Sequence, residues 1–213
     1  MTENFVSDQR AKRRLEPFLD YNDLFVGNVS IGTPGVVLEK QDFIHVTEAD
    51  DSFFFMPFDG ILGLGRSTIT VGEVTSPLNS ILHRLDAPVF TIWMDKQLST
   101  TTLSAGLITF GGVDTIHCQP EINYVPLSSQ AHWQFTMDDF SIGSFSQKKS
   151  EQMVSDTGTS WIGAPTKIIE AVVNQTGALY DSVNRFYTVS CSTIMTQPDL
   201  VFTINGVKYN LST

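Results

Sequence analysis

The chain has 213 residues, 41% of them hydrophobic and 17% charged, with a formal net charge of −10. That composition excludes a disordered or fibrous protein and allows one globular unit or two small lobes around a sizeable core. The acidic balance repels a nucleic-acid backbone, and no run approaches the ~18 apolar residues of a membrane span, so no nucleic acid and no membrane is expected as a partner.

Met1 to Asp20 carries a basic run, Arg10-Ala11-Lys12-Arg13-Arg14, and lacks the apolar stretch of a signal peptide. It reads as a solvated or removable arm. Leu24 to Ile31 is an apolar strand that stops at Gly32-Thr33-Pro34, and Val36 to His45 resumes as another. Phe53 to Gly65 is the most apolar segment and is expected to be buried. Ser76-Pro77 followed by Leu78, Ile81, Leu82 and Leu85 gives an N-cap, a proline at the first helical position and apolar residues at helical spacing. A short helix follows from that pattern.

Val89 to Met94 and Gly106 to Phe110 read as strands, the second ended by Gly111-Gly112. Ile122 to Leu127 is expected to be a strand as well. Trp133, Phe135 and Met137 alternate with polar residues, so one face of that strand should pack inward. Met153-Val154 leads into Asp156-Thr157-Gly158-Thr159-Ser160. Pro165 opens a second helix through Ile168, Ile169, Val172 and Val173, and Gly177 is placed to end it. Phe186 to Cys191 and Leu200 to Ile204 read as strands. Asn205-Gly206 then predicts a type I′ hairpin into Val207-Lys208-Tyr209, and the chain stops at Thr213 soon after that strand begins. Short strands punctuated by fifteen Gly and nine Pro make the fold mostly β.

Cys118 and Cys191 are too few for a disulfide scaffold and could form one bridge or none. Asn28, Asn174 and Asn210 each open an N-glycosylation triplet. His45, His83, His117 and His132 show no paired metal spacing, and the chain has no GxSxG elbow, phosphate loop or dinucleotide fingerprint. No metal and no cofactor is expected.

Asp156-Thr157-Gly158 by itself also fits a capped polar turn. Its context is more specific. Phe58-Asp59-Gly60-Ile61-Leu62-Gly63-Leu64-Gly65, Phe110-Gly111-Gly112-Val113-Asp114, Trp133-Gln134-Phe135, the Asp156 loop with Trp161-Ile162-Gly163, and Leu200 to Gly206 follow one another in an order and spacing that resemble the pepsin family of aspartic proteases. The resemblance implies a bilobal, mostly β acid protease fold and peptide-bond hydrolysis at acidic pH without metal or cofactor. It also implies a monomer acting on peptide or protein substrates, and a lysosomal or secreted location for a full-length member. By resemblance, Asp156 is the catalytic carboxylate, Thr157 a structural residue of its loop, and Gly158, Thr159 and Ser160 substrate-binding positions. Phe58 and Ile61 fall where the family lines a hydrophobic substrate pocket, although with the flap missing plain core is the better account of both.

The chain departs from that pattern. Asp20 to Pro34 looks like the family's first mature strand, yet the first Asp-Thr-Gly and the flap that should follow are missing, as if an internal block had been removed near residues 34–35. The expected organisation is a basic arm at 1–19, a remnant of a propeptide; a partial N-terminal lobe at 20–116; and a partial C-terminal lobe at 117–213 carrying Asp156. Ile61-Leu62-Gly63 resembles the companion of the missing aspartate loop, and the companion of Asp156 is expected beyond Thr213. By the same resemblance both cysteines have lost their partners and are free thiols. With one aspartate where the chemistry needs two, the readings are an incomplete version of an endopeptidase or a non-catalytic protein that binds peptides, with a symmetric dimer joining two copies of Asp156 disfavoured because the companion segment of that lobe is absent.

Overall fold

The computed structural model describes residues 19–20, 23–32, 35–49, 58, 60–70, 74–95, 106–183 and 186–212. The basic arm and Phe53 to Pro57 lie outside them. The chain divides into two compact units, Met1–Tyr124 with Gln130–His132, and Val125–Ser129 with Trp133–Thr213.

In the first unit, β1 (Leu19–Asp20) pairs with β4 (Glu48–Ala49), and β2 (Asp23–Ile31) pairs antiparallel with β3 (Val36–His45). The β2–β3 pairing runs as far as Ile31↔Val36; the point near residues 34–35 where the sequence suggests an excised block lies partly outside the described residues. The register shifts between Gly27↔Gln41 and Val29↔Leu38, so β3 carries one extra residue there. Lys40 takes up the irregularity with φ +57°, the left-handed bulge position that glycine usually fills. Helix α1 (Pro77–Ile81) starts where expected: Ser76 Oγ accepts from the N–H of Asn79 at 3.3 Å, and Pro77 occupies the first turn. It packs on β3, with Leu78, Ile81 and Leu38 buried together, and continues into a 3-10 turn at Leu82–Arg84. Gln41 is buried beneath α1 because its amide is satisfied. Its Nε2 donates to Thr75 O at 2.8 Å, and its Oε1 accepts from Ser80 Oγ at 2.8 Å. Strands β5 (Phe90–Met94) and β6 (Gly106–Phe110) form a second hairpin.

The second unit has a four-stranded antiparallel sheet in the order β14-β13-β8-β9, built from β8 (Asp139–Ile142), β9 (Phe145–Gln147), β13 (Leu200–Ile204) and β14 (Val207–Leu211). The Asn205-Gly206 turn joins β13 to β14 with both residues at positive φ, +49° and +76°, as the dipeptide predicts. Helix α2 (Thr166–Thr176) lays Ile168 and Val172 on this sheet and ends at Gly177, φ +67°. The core consists of Phe140, Ile142 and Ile168, flanked by Met137, Phe145, Ala164, Leu200 and Phe202. Strand β7 (Gln134–Met137) pairs with β10 (Glu151–Val154), and β11 (Leu179–Asp181) with β12 (Phe186–Thr188).

Four expectations are corrected. Ile122 to Leu127 forms no strand beyond a single bridge from Leu127 to Phe135, and Glu121 to Tyr124 are exposed. Alternation supplied no partner strand, and Pro126 has no N–H to donate to one. The strand expected to run to Cys191 ends at Thr188, because Ser190 caps the N–H of Ser192 and starts a 3-10 helix, Cys191–Thr196. Dense apolar sequence did not guarantee burial either. Leu64 is buried, but Phe58 is 37% exposed and Ile61 is half-buried. On β7 the alternation is also blurred, since all four residues are half-buried and Met137 alone of the expected three joins the core.

Candidate active site

The β7–β10 ladder delivers the aspartate loop. Val154 pairs with Gln134, and the N–H of Ser155 still reaches Trp133 O at 3.1 Å, so the chain leaves the sheet immediately before Asp156. The loop then folds back on the carboxylate. Asp156 Oδ1 accepts from the N–H of Gly158 at 2.9 Å, Oδ2 accepts from Thr159 Oγ1 at 2.5 Å, and the N–H of Thr159 returns to Asp156 O at 3.3 Å. Each carboxylate oxygen is therefore oriented by a neighbour one turn along, which is why Gly158 and Thr159 stand at that spacing. Asp156, Thr157 and Gly158 are half-buried, and the Thr157 hydroxyl oxygen is shielded from solvent. Thr159 and Ser160 are exposed. The arrangement presents a fixed carboxylate on a partly open surface.

How the loop leaves was not legible from its residues. Trp161 stacks on Phe186 of β12, ring centroids 5.0 Å apart and planes 19° apart, which ties the loop exit to the β11–β12 hairpin. Val154, Trp161 and Ile162 around it are exposed. Phe58 and Ile61, expected as pocket residues, belong to the first unit, whereas Asp156 to Ser160 belong to the second. Cys118 and Cys191 are both free thiols. Asn28, Asn174 and Asn210 are all exposed, on β2, α2 and β14 respectively. Among the described residues no group of three or more His, Cys, Asp or Glu side chains could hold a metal ion.

A second polar cluster, also missed in the sequence, lies in the first unit. Asp114 is buried; its Oδ1 accepts from the N–H groups of Ile116 at 2.9 Å and His117 at 3.1 Å, and its Oδ2 meets His117 Nδ1 at 2.7 Å. Thr91 Oγ1 on β5 donates to Gly112 O at 3.0 Å and accepts from the N–H of Asp114 at 3.3 Å. The His117 ring stacks on Trp93, also on β5, with centroids 3.9 Å apart and planes 18° apart. Burial pushes the Asp114 carboxyl up, but the bonds from the His117 side chain and from the backbone of His117 and Ile116, with the His117 charge, hold it below its ordinary value. The signal in the sequence was an Asp and a His three apart after Gly111-Gly112.

The family model for eukaryotic aspartyl proteases matches residues 23–213. The chain belongs to that family. It is 43% identical over 188 residues to aspartic protease 1 of Caenorhabditis elegans, an alignment covering 87% of this chain and 48% of that protein. It is 33% identical over 192 residues to cathepsin E of Rattus norvegicus, covering 88% and 47%, and 33% identical over 191 residues to pepsin A of Rhinolophus ferrumequinum, covering 87% and 48%. The chain thus spans about half the length of the curated relatives it matches. Its mostly β fold is that of a pepsin-like aspartyl protease, and Asp156-Thr157-Gly158 is the one Asp-Thr-Gly in its sequence.

Proposed function

We propose that Asp156 is one carboxylate of an acid-optimum peptide-hydrolysing pair, and that this chain, with a single Asp-Thr-Gly loop, does not cut peptides alone. The observation that carries the reading is the carboxylate held on both oxygens by Gly158 and Thr159. A lone carboxylate is a weak base. Two of them sharing one proton divide the work: the ionised member takes a proton from water, and the water attacks the scissile carbonyl. The protonated member polarises that carbonyl, and the departing amine then gains a proton. One proton must stay on the pair, so the activity belongs to acidic surroundings such as a lysosomal or secreted fluid. In this reading Thr159 and Ser160, both exposed and next in sequence to the Asp156 turn, contact the peptide backbone through their hydroxyls.

A second reading, a peptide-binding protein without hydrolysis, draws support from β2 and β3, which pair continuously up to Ile31↔Val36 although the family's first Asp-Thr-Gly and flap do not stand between them in the sequence. One experiment separates the two. The 213-residue chain and the longest transcript product of the same gene are expressed in parallel and assayed on haemoglobin in acid, each with Asp156 and with Asp156→Asn. Cleavage by the longer product alone, lost on Asp156→Asn, is the expected result. Cleavage by the monomeric 213-residue chain overturns the proposal, and the absence of any transcript with a second Asp-Thr-Gly leaves the binding reading.

A further inference from the structure

We propose that Asn205 is a site of spontaneous covalent modification, converted to aspartate and isoaspartate, and that Asp138 holds the reaction in check. The chain has one Asn-Gly pair, Asn205-Gly206, and it forms the exposed two-residue turn between β13 and β14. Asparagine amides are among the thermolabile groups of proteins, and a following glycine leaves the attacking nitrogen uncrowded. Among the described residues no atom lies within 4 Å of where a Gly206 side chain would begin. The chemistry needs water alone as co-reactant. The Gly206 nitrogen attacks Asn205 Cγ and gives up its proton. The new bond closes a cyclic imide while the bond from Cγ to the side-chain nitrogen breaks, and ammonia leaves with that proton. Water then opens the ring at either carbonyl, so the main chain runs on through the α-carboxyl in aspartate or through the side chain in isoaspartate.

Two features of the fold oppose this reaction. Asn205 and Gly206 sit at φ +49° and +76°, the left-handed pair of a type I′ turn, and the Ile204↔Val207 pair closes it. A planar imide imposes a different backbone angle at Asn205, so the turn has to open first. The second feature comes from 68 residues earlier in the chain, where Asp138 Oδ2 accepts the Gly206 N–H at 2.9 Å. Asp138 is itself tied to β13, its N–H donating to Thr203 O at 2.8 Å. A carboxylate bonded to the attacking nitrogen fixes its orientation, and the negative charge disfavours the amide anion that attacks. Once isoaspartate has formed, the main chain carries an extra carbon, which a two-residue turn does not fit. Strand β14, paired with β13 alone among the described strands, then loses the turn that sets its register. The modification is a slow, one-way release of that outer strand, and it does not depend on whether the chain hydrolyses peptides.

The 213-residue chain is aged at about pH 7.5, where ordinary carboxylates are ionised, both folded and in guanidinium chloride. Peptide mapping by mass spectrometry follows the loss of Asn205 and the appearance of its two acidic products. The folded chain is expected to react at least about tenfold more slowly than the unfolded one, because opening the turn costs free energy. Asp138→Ala should speed the folded chain roughly fivefold, the loss of one exposed hydrogen bond to a charged group, and leave the unfolded rate unchanged. Equal rates in the folded and unfolded wild type, or no isoaspartate at Asn205 in either, overturn the proposal. So does Asp138→Ala that reacts no faster than wild type, since the carboxylate is then no lock. Should Asp138→Ala not fold, Asp138→Asn decides, because it keeps an acceptor oxygen without the charge: its folded rate must rise roughly twofold, and an unchanged rate sinks the lock.

Discussion

Asp156 takes its two hydrogen bonds from Gly158 and Thr159, residues within three positions of it. Such a group is legible in sequence because everything that orients it is local. Asp114 is held differently, by a turn of its own and by the His117 ring that rests on Trp93 from another strand. Its carboxyl is lowered, so it contributes stability that is full above the unfolded value of about 3.8 and is lost as pH falls through the folded value. Asp114→Asn is therefore expected to lower the unfolding midpoint at pH values above about 4, with the difference from wild type vanishing in stronger acid. Midpoints measured along a pH series check the sign; a gap that widens below pH 3 would contradict it. The Trp93–His117 and Trp161–Phe186 stacks escaped the sequence because each depends on residues at least twenty-four positions apart meeting in space.

Elements whose signals coincide folded as read. Helix α1 has a cap, a proline and a buried face at the same address, and α2 has its period and its terminal glycine. Ser76→Ala leaves the N–H of Asn79 without its acceptor and should lower stability by about 1 kcal/mol, measured by denaturant unfolding. In the second unit, Ile142 is 1% exposed in the centre of the sheet and touches the core from β8. Ile142→Ala opens a cavity there and should cost roughly 2–5 kcal/mol, enough to unfold much of a marginal domain at body temperature. The 122–127 segment marks the limit of such reading. A strand is a property of a pair, and apolar alternation says nothing about whether the second member is present.

Across the whole molecule the family and its β character were readable, since motif order survives where contacts cannot be seen. The positions of Phe58 and Ile61 were not, because an apolar run reports what a segment would prefer to do and not which surface is left to cover it. Net charge also acts at this scale. With a sequence pI near 4.6, the chain loses its self-repulsion in the range where the proposed chemistry would run. Solubility is expected to pass through a minimum near that pH and recover on either side, which turbidity or light scattering across a pH series would register.

The outer strand of the second unit, β14, carries Asn210 among exposed residues and has β13 as its one sheet neighbour among the described strands. Its far side therefore offers an unshared row of amides and carbonyls to any extended chain that comes alongside. A sugar on Asn210 would stand guard at that margin, hindering chain-to-chain stacking by bulk alone. If the triplet is used in the cell, material made without carbohydrate should polymerise sooner than the native glycoprotein.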